Sequence, residues 1–311
     1  MTVAPSASVV ICAYTEDRWQ MLVDAVASAR RQTHEPVEVI VVIDHNRALF
    51  DRCAEELAGW ATTPGPPVAL FENRFDGRLG SARNTGVAEA SGDVVAFLDD
   101  DAAADPAWLE RLVAPYVDPN VVAVGGAPLP VYETSRPRWI PPQMDWVFGC
   151  YYEGLPTELE PTRRLIGASM SARRSGLEAI GGFQSDNHDD MDMCHRLAVT
   201  YPTGTILFEP TAIVRHNVVA ERVTWTYYWR RCFFVNRGKA AALHAMGDAG
   251  STAADRSFVL RSLASSARAG LGDARRGDLA GLARFAALVA GVGLAALGFS
   301  VGQLELRRGR S

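Results

Sequence analysis

Three consecutive carboxylates, Asp99, Asp100 and Asp101, close the apolar run Val94-Val95-Ala96-Phe97-Leu98. A buried strand that ends in three acids concentrates negative charge at one edge of a sheet. A divalent cation together with a phosphorylated ligand would neutralise it. Side chains alternate along an extended backbone, so Asp99 and Asp101 project to one side and Asp100 to the other. One of that pair is suited to hold Mg²⁺ or Mn²⁺ while its companion meets a ribose hydroxyl. In a solvated turn the same acids would only cap the next helix, and the strand before them favours the site.

A second acidic pair, Asp189 and Asp190, stands at a predicted helix start, where unpaired backbone N–H groups keep a carboxylate ionised. An ionised acid beside a hydroxyl can take its proton as that oxygen attacks, which makes Asp190 the candidate base and Asp189 its competitor or orienting partner. His216 follows a predicted strand and suits a third metal ligand, a phosphate contact or a structural hydrogen bond. Arg230 and Arg231 lie on an aromatic-rich helix. They offer forked donors to a diphosphate leaving group, or a basic surface to lipid headgroups. Asp44, at a strand end, can accept the imide N–H of uracil, and Arg83, at a helix start, can reach a phosphate or a base.

The elements that must carry these groups alternate. Apolar runs at 8–13, 37–43, 68–71 and 93–98 read as buried strands, with helical segments at 19–31, 48–58 and 81–90 between them. Continuous apolar strands separated by helices indicate a parallel α/β sheet covered on both faces. In such sheets ligands bind at the carboxyl ends of the strands, so Tyr14, Asp44, Arg83 and Asp99 are expected to share one pocket. A helix is predicted over 105–116 and a strand over 121–124. Residues 128–161, rich in proline, glycine and aromatics, read as one long loop. The second half supplies a strand or bend at 167–171, short strands at 206–208 and 212–214, and a helix over 223–242.

Composition narrows the class. At 311 residues and 48% hydrophobic the chain can bury a substantial core, and its formal net charge of -5 argues against a nucleic-acid platform. The five cysteines contain no CxxC pair, which favours a reducing compartment. The first residues show no basic segment ahead of the first apolar run, so a cytoplasmic catalytic domain is expected.

Read together, Val9-Val10-Ile11-Cys12-Ala13-Tyr14, Ile40-Val41-Val42-Ile43-Asp44, Ala82-Arg83-Asn84-Thr85-Gly86, Phe97-Leu98-Asp99-Asp100-Asp101, Gly181-Gly182-Phe183 and the segment from Asp189 to Leu197 resemble the family 2 glycosyltransferases. The resemblance spans about residues 7 to 240. It implies a GT-A fold, α/β with a mixed sheet flanked by helices, and an inverting, metal-dependent transfer from a nucleotide-diphospho-sugar. It also implies that Tyr14, Asp44 and Arg83 hold the nucleotide, that Asp99 and Asp101 form the DxD pair, and that Asp190 is the base. Asp189 replaces the usual Glu of the family's acidic motif. Arg230-Arg231-Cys232 resembles the QxxRW region without its Trp. More narrowly, Tyr14 to Arg18, Asp44-His45-Asn46 and Arg138 to Pro142 are similar to an actinobacterial subgroup labelled glucosyl-dolichyl-phosphate glucuronosyltransferase. UDP-glucuronic acid thereby becomes a candidate donor, and a lipid-linked sugar a candidate acceptor.

The expected organisation is a catalytic domain over 1–245, with a nucleotide-binding half at 1–127 and an acceptor half at 128–245, followed by a helical tail over 246–311. Residues 285–304 carry no charge, and as a helix they would be roughly 30 Å long, the thickness of a bilayer core. A spanning helix, a membrane-dipping hairpin and a packed soluble helix all fit that run. A soluble small-molecule acceptor is the alternative to a lipid-linked one, and a catalytically dead nucleotide-sugar-binding protein is the alternative of another class. A nucleotidyltransferase is disfavoured, because residues 13–18 lack the glycines of a phosphate loop.

Overall fold

A computed structural model describes residues 4–57, 59–60, 63–185, 188–245 and 252–309. Strands β1 (Ala7–Ala13), β2 (Glu38–Ile43), β3 (Val68–Glu72) and β4 (Val94–Asp99) run parallel. Ala13 pairs with Ile43 and Cys12 with Asp99, so β1, β2 and β4 end at one rim. That register places Tyr14, Asp44 and the acidic triplet on the same edge.

Helices α1 (Trp19–Arg30) and α2 (Arg47–Leu57) pack on one face through Leu22, Val26, Leu49 and Cys53 against Val9, Ile11, Val39 and Val41. Helix α3 (Leu79–Glu89) covers the other face, where Ala82 and Val87 meet Val10, Ile40 and Val42. Burial on both sides explains why these strands read as unbroken apolar runs.

The other half of the sheet makes it mixed, as the family resemblance implies and as the alternation of strands and helices alone does not. It is antiparallel: β8 (Ser169–Arg173) runs against both β4 and β6 (Val121–Tyr132), and with β5 (Ala102–Ala104) and β9 (Thr205–Val218) the order is β3-β2-β1-β4-β8-β6-β9-β5. Strand β6 continues through Pro128 and Pro130 into the segment expected to be loop. The two short strands expected at 206–208 and 212–214 are one strand, β9 (Thr205–Val218), which pairs with β7 (Glu160–Pro161) and with β5 (Ala102–Ala104). Proline signals a strand end in sequence. Here Pro210 falls between the two short pairings, at 207–208 and at 214–216, and its missing N–H interrupts neither. Strand β5 has no counterpart in the sequence reading, because three alanines carry no periodicity.

The helix expected over 105–116 is a single α-helical stretch, α4 (Trp108–Val113), continued as a 3₁₀ turn over Ala114–Val117. Helices α5 (Arg174–Ala179) and α6 (Asp189–Thr200) complete the second face with Leu177, Met193, Cys194 and Leu197.

By its contacts the chain forms two compact units, Met1–Leu129 with Pro156–His216, and Pro130–Leu155 with Asn217–Ser311. These follow packing, whereas the division at 127/128 and 245/246 followed inferred roles along the chain. Residues 246–251, at the second of those boundaries, lie outside the described residues. The second unit contains α7 (Trp225–Ala245), α8 (Thr252–Arg275) and α9 (Ala280–Arg307). Its core joins Ile140, Met144, Val147 and Phe148 to Tyr228, Cys232 and Leu288.

Candidate active site

The acidic triplet turns from β4 directly into β5, and β5 pairs with β9 so that Ala102 faces His216. This pairing carries a histidine more than a hundred positions along the chain back to the triplet. His216 Nε2 lies 3.2 Å from Asp101 Oδ1 and 4.0 Å from Asp99 Oδ2. One ligand atom from each of Asp99, Asp101 and His216 falls within 4.8 Å of the others. Two carboxylates and an imidazole form a mixed oxygen and nitrogen donor set that suits Mn²⁺ and accommodates Mg²⁺.

Asp100 lies in the turn after β4 and faces the same guanidinium as Asp101, so the alternation expected from the sequence does not extend to it. Its Oδ1 accepts from Arg18 Nη1 at 2.9 Å, and the same nitrogen lies 3.1 Å from Asp101 Oδ2. Asp100 Oδ2 is buried without a hydrogen-bond partner. Burial and the adjacent Asp101 push the Asp100 carboxyl up to about 7, against the pull of Arg18. Asp99 is likewise raised, first by burial and then by Asp101, with Arg83 opposing. A buried carboxylate cluster that its own arginines leave under-neutralised is the environment in which a cation is bound.

Arg83 ties this cluster to the second acidic pair. Its guanidinium donates to Asp99 Oδ1 at 3.1 Å, to Gly167 O at 2.9 Å and to Asp189 Oδ2. Burial disfavours its charge, but Asp189 and Asp99 outweigh that and raise its pKa above the ordinary arginine value. The side chain lies against the edge-to-face pair of Phe97 and Phe183, 5.7 and 5.8 Å from their centroids. With 2% of its surface exposed, Arg83 directs its donors at carboxylates, away from solvent where a phosphate would approach.

Asp189 and Asp190 open α6, as expected. Asp190 Oδ1 accepts from Met191 N at 2.7 Å. Burial and then the neighbouring Asp189 push the Asp190 carboxyl up to about 6, while Arg83 and the backbone N–H groups of Met191 and Gly167 hold it down. Gly167 thus serves both halves: its carbonyl receives Arg83 and its N–H faces Asp190. The loop before α6 is clamped by Asn84, whose Oδ1 accepts from Phe183 N at 2.7 Å and whose Nδ2 donates to Phe183 O at 2.8 Å. Gly182 sits at φ 71°, and a Cβ there would overlap Asn84 Oδ1.

At the neighbouring strand ends, Asp44 Oδ1 accepts from Asn73 Nδ2 at 2.8 Å and lies 2.6 Å from His45 Nδ1. Asn73 also donates to Ser81 and accepts from Thr85, which seats α3 against β3. Tyr14 is 57% exposed, and Arg18 lies over its ring at 5.5 Å. Arg230 and Arg231 belong to the second unit, on α7. There Arg231 Nε donates to Val147 O at 3.2 Å and Arg230 lies 5.8 Å from the Phe234 ring.

Sequence reasoning assigned no site role to Arg18, Asn73, Asn84 or Gly167. Asn73 carried a usable signal, since it follows a strand as Asp44 does. Arg18 stands four residues after Tyr14, across a 3₁₀ turn over Glu16–Arg18 whose only local signal is the Thr15 cap, which accepts from Asp17 N.

The chain matches the model of the family described as "Glycosyl transferase family 2" over residues 8–181. It is 30% identical over 243 residues to the "Glucosyl-dolichyl phosphate glucuronosyltransferase" of Haloferax volcanii, covering 75% of each chain. A 29% identity over 177 residues relates it to the "Pre-mycofactocin glycosyltransferase" of Mycobacterium tuberculosis, covering 52% of this chain and 34% of that one. Among solved structures it resembles the mannosyltransferase PcManGT of Pyrobaculum calidifontis in complex with GDP-Man and Mn²⁺, with a TM-score of 0.60, 21% identity and coverage of 100% of this chain and 89% of that one. It also resembles GalNAc-T7 crystallised with UDP, GalNAc and Mn²⁺, at a TM-score of 0.52 and 19% identity, over 69% of this chain and 43% of that one. A GT-A sheet, an Asp-Asp-His cluster at its rim and these matches agree: the chain is a glycosyltransferase and belongs to glycosyl transferase family 2.

Proposed function

We propose that this enzyme moves a sugar from a nucleotide-diphospho-sugar to an acceptor hydroxyl by a single displacement that inverts the anomeric centre. The observation that carries the reading is the Arg83 bridge, which fastens the Asp99, Asp101 and His216 cluster to the Asp189 and Asp190 pair in one buried network. Mn²⁺ or Mg²⁺ held by Asp99, Asp101 and His216 would supply positive charge opposite the donor diphosphate. Tyr14 offers an exposed ring face to the nucleobase, and Asp44 an acceptor to its imide N–H. Asp190 takes the proton of the acceptor hydroxyl, and Asp189, locked by Arg83, orients it. An α-linked donor would give a β-linked product.

For the donor we favour UDP-glucuronic acid and for the acceptor a lipid-linked sugar, on the strength of the Haloferax relative's name. A small-molecule acceptor is the second reading, supported by the pre-mycofactocin relative. The catalytic domain is assigned to the cytoplasmic side, with the tail at the cytoplasmic membrane. Arg230 and Arg231 fit a basic helix surface better than a diphosphate clamp, because Arg231 is engaged by the Val147 carbonyl and Arg230 by the Phe234 ring. The test is a panel of UDP- and GDP-sugars, scored for Mn²⁺-dependent hydrolysis and for transfer to polyprenyl-phosphate sugars and to soluble hydroxyl acceptors. Donor binding without turnover on every acceptor would leave only a nucleotide-sugar-binding protein.

A further inference from the structure

Helix α9 is inside out for a helix on a water-covered surface. Leu282, Ala286, Val289, Gly293, Leu297 and Leu304 recur at helical spacing and are all exposed, while Ala287, Leu288, Gly291, Gly298 and Gly302 are turned inward. Between Arg284 and Glu305 there is no charged residue, and only 28% of the most apolar 18-residue window is buried. A surface helix ordinarily shows its charged side outward, and a continuous apolar face of this length marks a binding surface.

By length and apolarity α9 resembles a membrane span, yet it is fastened to α7 along its course. Tyr228 Oη donates to Ala287 O at 2.8 Å. A Cβ at Gly298 would overlap Phe233 O, and one at Gly302 would overlap Arg237 O, so the two backbones are in close approach. Near the far end, Arg237 makes two bonds to Glu305, at 2.8 and 2.7 Å. A crossing α9 would drag Arg230, Arg231, Arg237 and Lys239 into hydrocarbon, where charge is strongly disfavoured.

Charge separates the remaining occupants. The two helices carry Arg230, Arg231, Arg237, Lys239, Arg284 and Arg307 against the single acid Glu305, which pairs with Arg237 while Asp273 of α8 pairs with Arg284, and the rest leave an excess of positive charge in a chain whose net charge is -5. A second copy would bring like charge to like, whereas an anionic leaflet supplies the complement. On the neighbouring helix Phe234 is 45% exposed and lines a cleft with Ala241, Leu306 and the paired Arg237 and Glu305. We propose that α7 and α9 lie as one body in the plane of an anionic membrane surface, with the outward stripe of α9 entering the headgroup boundary and neither helix crossing the bilayer.

The experiment uses the full chain and preformed vesicles of phosphatidylglycerol with phosphatidylcholine, or of phosphatidylcholine alone, with co-sedimentation as the readout. Binding is expected to be at least about tenfold tighter to the anionic vesicles and to weaken in high salt. The double variant Val289→Glu with Leu297→Glu, both at exposed positions, should bind at least about tenfold more weakly while retaining wild-type resistance to limited proteolysis, which reports an intact second unit. A Gly309→Cys variant on vesicles should stay reactive to an impermeant maleimide added outside, since the native cysteines are buried or half-buried. Protection of that cysteine would mean α9 crosses, and the proposal fails. Absence of vesicle binding, together with a dimer that the double glutamate variant dissociates, would make a second copy the occupant and also overturn it.

Discussion

At the scale of single residues, the site is a balance between five clustered carboxylates, Asp99, Asp100, Asp101, Asp189 and Asp190, and the two guanidiniums of Arg18 and Arg83 that pair with them. Asp190 must be ionised to accept a proton. Burial and Asp189 lift it to about 6, so transfer should climb as pH rises through that value and level off above it. Below it, kcat/KM should fall about tenfold per pH unit. Asp190→Asn should remove the limb together with the activity and leave Mn²⁺ and donor binding near wild type. A profile flat across the acid range would remove this residue from the chemistry. Asp101→Asn should instead weaken Mn²⁺ binding by at least about tenfold in a calorimetric titration, because it takes away one of three donors. Arg83→Met leaves Asp99 and Asp189 facing each other without their shared cation. A loss of roughly 3 kcal/mol in urea unfolding is expected, and Arg83→Lys should restore little of it, because one ammonium cannot reproduce the fork.

At the scale of elements, the position of His216 depends on how β9 sits against its neighbours. Ala102 and His216 are paired across β5 and β9, and Gly126 of β6 lies where any Cβ would overlap Ala212 O and Ser169 Oγ. Gly126→Ala should therefore push β9 aside, costing about 1–3 kcal/mol of stability in thermal or urea unfolding. Mn²⁺ affinity should fall with it, although residue 126 is no ligand. An unchanged Mn²⁺ titration in a destabilised Gly126→Ala protein would show that β9 can shift without carrying His216. The α6 start depends similarly on the Gly181-Gly182-Phe183 turn, held to α3 by the paired bonds of Asn84.

At the scale of the molecule, the packing of α9 on α7 rests on small residues where the backbones meet. Gly298→Leu should wedge the helices apart and expose the second unit to limited proteolysis at lower temperature than wild type. Mn²⁺ binding should persist, since Asp99, Asp101 and His216 all belong to the first unit. Parallel loss of metal binding and protease resistance would mean that the two units unfold as one.

The sequence by itself determined the parallel half of the sheet and the rim residues at its strand ends. Hydrophobic runs buried on both faces are local signals, and a polar residue that ends such a run must emerge at the sheet edge. The acidic triplet was legible for the same reason, and the pair opening α6 as acids at a predicted helix start. Only the tertiary structure decided that Pro210 lies within a strand and that three alanines form β5. It alone turned Arg83 between two carboxylates and carried Arg18 onto Asp100 and Asp101. Each of these depends on a partner distant in the chain, so strand pairing and the mutual neutralisation of buried charges are settled when the chain closes on itself, and no window of neighbouring residues contains them.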